Sequence, residues 1–192
     1  MTVLETPLPG VVVVEPRVFG DARGVFCETY HAERYRAAGI DAVFVQDNVS
    51  RSSRGTLRGL HFQAPPHAQA KLVACLDGAV FDVAVDLRAG SPTYGRWFGA
   101  ELTAENMRQM YVPEGFAHGF VVTSESALVA YKCSGLYAPH AEGSIAWDDP
   151  DVGVAWPAER PVLSDKDAAA PPFAALDSPF TYAASAFATP AT

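Results

Sequence analysis

Residues 68–95, AQAKLVACLDGAVFDVAVDLRAGSPTYG, decide the fold class. Two apolar runs with strand-like alternation flank Asp77-Gly78, and an Asp-Gly pair in this setting predicts a two-residue hairpin turn. Since side chains alternate between the two faces of a strand, the predicted register divides the residues between two faces. One face carries Lys71, Val73, Asp82 and Ala84, and the other, an apolar packing surface, carries Leu72, Phe81 and Val83.

The polar face of this predicted hairpin allows two interpretations. It carries Lys71, Asp82 and Asp86. An antiparallel sheet often has one side in water, so these residues can simply form surface. The alternative is that they line the wall of a polar cavity inside a barrel.

Further strand patterns lie on both sides of this segment, with glycine and proline between them. They are GVVVVEPRVF (10–19), FVQDNVSRS (44–52), TLRGLHFQ (56–63), MYVPEGFAHGFVVTSES (110–126) and ALVAYKCSGLY (127–137). Helical patterns are few: HAERYRAAG (31–39), ended by Gly39, and one turn in TAENMRQ (103–109). Many short strands with such turns predict an all-β sandwich or barrel with a few short helices. We expect one domain over residues 1–181 and a loose tail at 182–192.

Composition excludes several classes of protein. The net charge of -8 argues against non-specific nucleic-acid binding, which needs a basic surface. Cys27, Cys75 and Cys133 form no C-x-x-C pair and no complete disulfide framework, as expected for reduced thiols. The first residues, MTVLETPLPG, lack a secretory pattern, and no apolar run approaches the roughly 20 residues that span a bilayer. We therefore expect a cytoplasmic protein without membrane contact.

Two of the five histidines, His61 and His118, follow glycine-bearing strand patterns. A metal site on one strand usually needs ligands at alternate positions, but the positions two residues further on hold Gln63 and Phe120. Glutamine is a poor transition-metal ligand and phenylalanine is none. We therefore predict no metal, and a histidine that acts as a general base near neutral pH.

Together with the segments above, several motifs resemble the dTDP-4-dehydrorhamnose 3,5-epimerase family of the cupin superfamily. These are GVFCETY (24–30), RGTLRGLHFQ (54–63), LTAENMRQMYVPEGFAHGF (102–120), YKCSGLY (131–137), WDDPDVGVAWP (147–157) and LSDKD (163–167). The resemblance runs in order from about residue 3 to residue 180. It implies a cupin-like jelly roll, usually a homodimer, that needs no metal or other cofactor. The implied reaction inverts carbons 3 and 5 of a dTDP-4-keto-6-deoxy sugar in dTDP-L-rhamnose biosynthesis.

The resemblance also implies roles for individual residues. His61 is the base, Asp167 its carboxylate partner, Lys71 stabilises the enolate, and Tyr131 returns the proton from the opposite face. The residues implied to bind the substrate are Arg23, Phe26, Glu28, Gln46, Asn48, Arg58, Gln63, His118, Tyr137, Glu142 and Lys166. In the family, the loop that carries Glu28 often reaches into the site of the partner subunit.

The stretch RGLHFQ (58–63) sets a geometric condition on this assignment. Strand alternation puts His61 and Gln63 on one face and Arg58 on the other. Both Arg58 and His61 must nevertheless face the substrate. We therefore predict a bulge at Gly59 that redirects Arg58.

Alternatives to this function stay open. Where the family often has Thr-Asp-Tyr-Tyr, this chain reads Ser134-Gly135-Leu136-Tyr137. Epimerisation at a single carbon, or ketoisomerisation of a related dTDP-4-keto sugar, is therefore the first alternative to the double reaction. A binding module without turnover and a metal-dependent cupin enzyme are the others.

Overall fold

The computed structural model describes residues 1–183. In this part, strands alternate with turns along the chain. The strands are β1 (Thr2–Glu5), β2 (Val12–Glu15), β3 (Val18–Asp21), β4 (Gly24–Cys27), β5 (Gln46–Ser53), β6 (Leu57–Gln63), β7 (Lys71–Asp77), β8 (Ala79–Asp86), β9 (Trp97–Thr103), β10 (Gln109–Val112), β11 (Phe116–Val122), β12 (Ser126–Cys133) and β13 (Glu142–Ser144). The helices are α1 (Ala32–Ala37) and α2 (Asp165–Ala168), with single 3-10 turns at Pro139–Ala141 and Phe173–Ala175.

Two antiparallel sheets face each other across the core. One has the order β1-β2-β10-β7-β12-β5 and the other β13-β6-β11-β8-β9, while β3 and β4 form a separate hairpin. The all-β class predicted from the strand pattern is confirmed, and so is the cupin-like jelly roll with a few short helices that the resemblance implied.

The predicted hairpin at Asp77-Gly78 is wrong, because the chain changes sheets at this point. Strand β7 pairs with β10 and β12, whereas β8 pairs with β11 and β9. Gly78 has φ +76°, and a side chain here would collide with the Ser126 carbonyl oxygen. Asp77-Gly78 therefore forms a turn at which the chain passes from one sheet to the other. Ser124 Oγ accepts a 2.7 Å hydrogen bond from the Ala79 amide at this turn.

The alternation predicted for β7 and β8 holds in each strand, although the strands lie in different sheets. Val73 and Ala84 point into the space between the sheets. Leu72 packs outside the six-stranded sheet and Val83 outside the five-stranded one, so the predicted continuous apolar surface is two separate clusters. Each of the two strands therefore has one face between the sheets and the other face beneath an outer cluster.

The core consists of three apolar clusters. The central one, between the sheets, includes Val73, Met110 and Phe120. A second lies outside the five-stranded sheet beneath the C-terminal segment, and a third lies outside the six-stranded sheet, where Tyr35 of α1 is buried. As predicted, α1 is short, and Gly39 follows it with φ +88°. The TAENMRQ segment makes a tight turn in which Thr103 Oγ1 accepts from the Asn106 amide at 2.9 Å.

The predicted irregularity at Gly59 is present. His118 pairs with His61 and Phe120 with Arg58, so β6 has one residue more than β11 between these pairs. Gly59 has φ +141°, and a Cβ there would lie 2.5 Å from Gly119 Cα. This close approach, which suits glycine, brings the side chains of Arg58 and His61 to the same cavity.

The last described residues are tied to the body of the molecule. The amide of Tyr182 donates to the Ala89 carbonyl at 2.9 Å, and Thr181 forms a bridge with Ala89. Most of the tail predicted at 182–192 lies outside the described residues. No helix within residues 1–183 has the length and apolar character needed to cross a membrane.

Candidate active site

One end of the space between the sheets is polar and open. Two adjoining cavities of about 300 and 230 Å³ meet there, and His61, Lys71 and Tyr131 line both. His61 comes from β6 of one sheet, whereas Lys71 and Tyr131 come from β7 and β12 of the other. The cavity-wall interpretation of the polar residues on β7 and β8 is therefore correct for Lys71.

His61 is held by a carboxylate. Its Nε2 lies 2.5 Å from Asp167 Oδ1, with the His61 side chain 27% exposed and that of Asp167 5% exposed. Asp167 lies on α2, where its backbone amide donates to Ser164 Oγ, the N-cap of that helix, at 3.1 Å. Burial lowers the pKa of His61, and the hydrogen bond that the ring donates to Asp167 opposes this shift. The ring is accordingly neutral at pH 7, with Nδ1 free of the carboxylate contact.

Tyr131 faces the cavity from the opposite sheet. It pairs with Val73 on one side and Asn48 on the other. Burial, helped by Cys133, raises the pKa of Tyr131, while the charge of Arg58 lowers it. The phenol therefore stays protonated at neutral pH and can donate a proton.

Lys71 lies on the cavity wall with His61 and Tyr131. Burial lowers its pKa, whereas Cys133, Asp82 and Glu142 favour the charged form. A half-buried ammonium beside a bound ketone would stabilise negative charge on the ketone oxygen more strongly than one in water. The cavity thus combines a base, an acid and a cation, the set needed to move a proton on a carbon next to a carbonyl.

A second histidine–carboxylate pair lies deeper in the same site. His118 Nε2 is 2.8 Å from Asp82 Oδ1, and both side chains are buried. His118 lines the cavity, whereas Asp82 stands behind it and so does not form the wall itself. Asp86, the other carboxylate of the predicted polar face, is used structurally, since the Arg88 guanidinium donates two hydrogen bonds to it and the Arg88 amide a third.

Charged and polar groups surround the cavity mouth. Lys166 Nζ lies 2.5 Å from Glu142 Oε1, and Tyr137 donates to Glu142 Oε2 at 2.9 Å. Although burial raises the pKa of Glu142, these two hydrogen bonds lower it below its usual value. Gln63 is 5% exposed and bridges two loops: it donates to the His67 carbonyl at 2.7 Å and accepts from the Ala138 amide at 2.8 Å.

Three further predicted residues also line the cavity. Gln46 donates to Asn48 at 3.1 Å, and both extend from β5. Arg58 donates to Ser52 Oγ at 3.1 Å at the other end of the cavity. These amides and the guanidinium are suited to binding a polar, anionic ligand.

Comparisons with known proteins agree with this geometry. A family model described as dTDP-4-dehydrorhamnose 3,5-epimerase matches residues 5–175. The chain belongs to this family. It is therefore an enzyme of the isomerase class.

The most similar relatives include the dTDP-4-dehydrorhamnose 3,5-epimerase of Salmonella typhimurium, 53% identical over 89% of this chain and 94% of that protein. Among solved structures, RmlC of Legionella pneumophila in complex with dTDP-4-keto-L-rhamnose has a TM-score of 0.92 and 48% identity, and it covers 95% of this chain and 99% of its own. The 3'-monoepimerase ChmJ of Streptomyces bikiniensis in complex with dTDP-quinovose has a TM-score of 0.85 and 40% identity, over 89% of this chain and 87% of its own.

Three of the residues that the epimerase family implies are not in this cavity. Arg23, Phe26 and Glu28 lie on or beside the β3–β4 hairpin, away from both cavities. Arg23 pairs with Asp21 at 2.6 Å, and Glu28 pairs with Arg34 at 2.7 Å. Within one chain these residues therefore do not reach the site.

The cavity wall also contains residues that the sequence analysis missed. They are Ser50, Phe62, Gln69, Phe120, Cys133 and Ser164. Strand alternation could have identified two of them: Ser50 lies two residues after Asn48, and Cys133 two residues after Tyr131. Ser164 had a different signal, since a serine three residues before an acidic residue is typical of a helix N-terminus.

Within residues 1–183, no three His, Cys, Asp or Glu side chains come together in a way that could hold an ion. Each cavity histidine instead contacts one carboxylate.

Proposed function

We propose that this protein inverts carbons 3 and 5 of a dTDP-4-keto-6-deoxyhexose, as a dTDP-4-dehydrorhamnose 3,5-epimerase. One observation carries the proposal: the imidazole of His61, backed by Asp167, faces a cavity that the phenol of Tyr131 enters from the opposite sheet. Inversion next to a ketone needs a base on one face of the sugar ring and an acid on the other. The relatives' names and the bound sugar nucleotide of the Legionella structure support the substrate class.

The proton transfers follow from the assigned groups. Nδ1 of His61 takes a proton from the carbon next to the ketone, and the electron pair moves to the ketone oxygen to form an enolate. The ammonium of Lys71 stabilises that oxygen. Tyr131 then donates its hydroxyl proton to the opposite face of the carbon, and exchange with water restores both side chains. General acid and base groups of this kind contribute about 10²–10⁴-fold each.

The nucleotide part of the substrate needs cationic and amide partners. In this proposal Arg58 and Lys166 bind the pyrophosphate, and Gln46 and Asn48 contact the sugar or the base. The cations at the cavity allow a protein with a net charge of -8 to bind an anionic ligand.

A homodimer accounts for the three implied residues outside the cavity. Phe26 is 69% exposed and Val25 is 65% exposed, which is unusual for an apolar hairpin unless another surface covers it. We propose that β3–β4 of each chain docks on its partner, so that Arg23, Phe26 and Glu28 complete the partner's site. We also propose a cytoplasmic location, which the three free thiols support.

The test uses a dTDP-4-keto-6-deoxyhexose in deuterated water. We expect deuterium at both carbons 3 and 5, and inverted product by NMR. His61→Asn should abolish exchange at both positions. No exchange with the unaltered protein would reject the proposal, and so would equal exchange rates with and without His61, the result expected of a binding module.

A single-carbon epimerase is the second candidate. Two observations favour it: the segment Ser134-Gly135-Leu136 departs from the family pattern beside Tyr137, and the 3'-monoepimerase ChmJ has a similar fold. The same experiment separates the candidates, because a single-carbon enzyme would incorporate deuterium at one carbon only.

A further inference from the structure

We propose that His67 and His140 form a surface site for a divalent transition metal ion such as Zn²⁺ or Ni²⁺. The two Nε2 atoms lie 3.3 Å apart, and the ring planes make an angle of 84° with centroids 4.8 Å apart. Neither histidine is part of the proposed catalytic set. Both are exposed, so an ion can reach them from solvent.

The separation of the two nitrogen atoms matches one edge of a metal coordination sphere. A tetrahedral zinc ion with Zn–N bonds of about 2.0–2.1 Å places two of its nitrogen ligands about 3.3 Å apart. Neutral imidazole is a preferred ligand for Zn, Cu and Ni. The pair therefore provides two ligands with the required spacing, and water molecules can complete the sphere.

The backbone holds both histidines before any metal binds. His67 lies in the loop after β6, and its amide donates to the Ala64 carbonyl at 3.0 Å. His140 lies in the turn Pro139–Ala141, and the Ala64 amide donates to the Ala141 carbonyl at 2.8 Å. Because the two loops are already joined, an ion does not have to order them on binding.

The site is connected to the cavity through one side chain. Gln63 lines the cavity, donates to the His67 carbonyl and accepts from the amide of Ala138, next to the turn that carries His140. An ion on the two imidazoles therefore links the two loops that Gln63 also joins. Binding should stabilise the folded protein against heat, since the unfolded chain lacks this spacing.

The experiment is a calorimetric titration of the untagged, metal-stripped protein with Zn²⁺ and separately with Ni²⁺. We expect one equivalent to bind. Either His67→Asn or His140→Asn should weaken binding at least about tenfold, because losing a ligand costs no less than losing an outer-shell partner. His31→Asn removes a histidine elsewhere, and His61→Asn removes one from the cavity; neither should change the affinity.

Thermal unfolding provides a second readout. Zn²⁺ should raise the melting temperature of the unaltered protein, EDTA should reverse the rise, and the double variant His67→Asn/His140→Asn should show no rise. Circular dichroism of the metal-free variants checks that they fold. Unchanged affinity in the double variant would overturn the proposal, and so would loss of binding in His61→Asn alone. Absence of saturable binding at about 1 mM metal, the level of a very weak complex, would overturn it as well.

Discussion

The protonation state of His61 decides whether the proposed chemistry can start. Its ring must be neutral to accept a proton from carbon. Burial favours the neutral form, while Asp167 fixes the ring orientation and favours the imidazolium that forms during the reaction. These opposing effects suit a base that must gain and lose a proton in each turnover.

The Asp167→Asn variant tests this balance. Asp167 raises the pKa of His61 against the larger lowering by burial, so removing its charge should lower that pKa further. The acid limb of the profile of kcat/KM against pH reports the base of the free enzyme, and it should move to lower pH. The maximal rate should fall about 10²–10⁴-fold, because the imidazolium loses its partner.

The matched control for Asp167→Asn is Asp165→Asn, in which a neighbouring acidic residue of α2 is neutralised. Asp165→Asn should leave the acid limb of the profile of kcat/KM against pH at its original pH. A limb that moves to higher pH in Asp167→Asn would contradict the electrostatic account.

Tyr131→Phe should separate proton removal from inversion. His61 remains able to take a proton and return it on the same face, so deuterium exchange should continue while inversion falls by about 10²-fold or more. Tyr111→Phe is the control, since burial also raises the pKa of Tyr111, to about 12, but this residue lies outside the cavity. Equal loss of exchange and inversion in Tyr131→Phe would assign the phenol a different role.

Single residues were predictable where a motif or an alternation carried the signal. The proposed base His61, its partner Asp167 and the facing Tyr131 were named from the resemblance and lie around one cavity. Sequence alone did not reveal that Asp82 stands behind His118, because that contact joins β8 to β11 through the fold. Nor did it reveal the contact of Ser164 with Asp167, since this depends on a helix of one turn.

At the level of strands, alternation was a reliable guide and pairing was not. Lys71 and Val73 lie on the same face of β7, as the alternation predicted, because side-chain period is a property of each strand alone. That this face points inward was not predicted. The Asp77-Gly78 turn was assigned to a hairpin because its φ requirement is local. Whether the chain then pairs with itself or crosses to the other sheet depends on the available neighbours, which the turn does not encode.

The bulge in β6 can be tested with glycine substitutions. In Gly59→Ala the alanine must adopt φ +141°, and its Cβ would lie 2.5 Å from Gly119 Cα. In Gly90→Ala the alanine must also adopt a positive φ, +82°, but its Cβ would have no other atom within 4 Å. Conformational strain costs about 1–2 kcal/mol at such positions, and overpacking adds roughly 1–3 kcal/mol. Urea unfolding should therefore show Gly59→Ala to be the less stable protein.

The same pair of variants should differ in activity. Displacing Gly59 moves Arg58 and His61 relative to each other, so kcat/KM should fall in Gly59→Ala and stay near the original value in Gly90→Ala. Equal stability and activity of the two variants would contradict the close-approach argument.

For the whole molecule, the proposed exchange of hairpins can be tested by mixing inactive chains. A dimer of His61→Ala and Glu28→Ala chains has one site with both residues intact if Glu28 acts in the partner's site. Random mixing in equal amounts makes about half of the dimers mixed, so about one quarter of the original activity should return. If Glu28 acts within its own chain, or on no site, mixing should restore nothing beyond the sum of the two preparations.

The crossing at Gly78 has a consequence for how activity develops during refolding. Lys71 and Asp82 are near neighbours in sequence, yet β7 pairs only with the later strands β10 and β12, and β8 needs the distant β11 as well as the adjacent β9. Neither sheet can close early from local segments, and such topologies are slow to form. In a dilution from urea, turnover should recover only with the slowest change in tryptophan fluorescence, so that catalysis itself becomes a probe of the last kinetic phase.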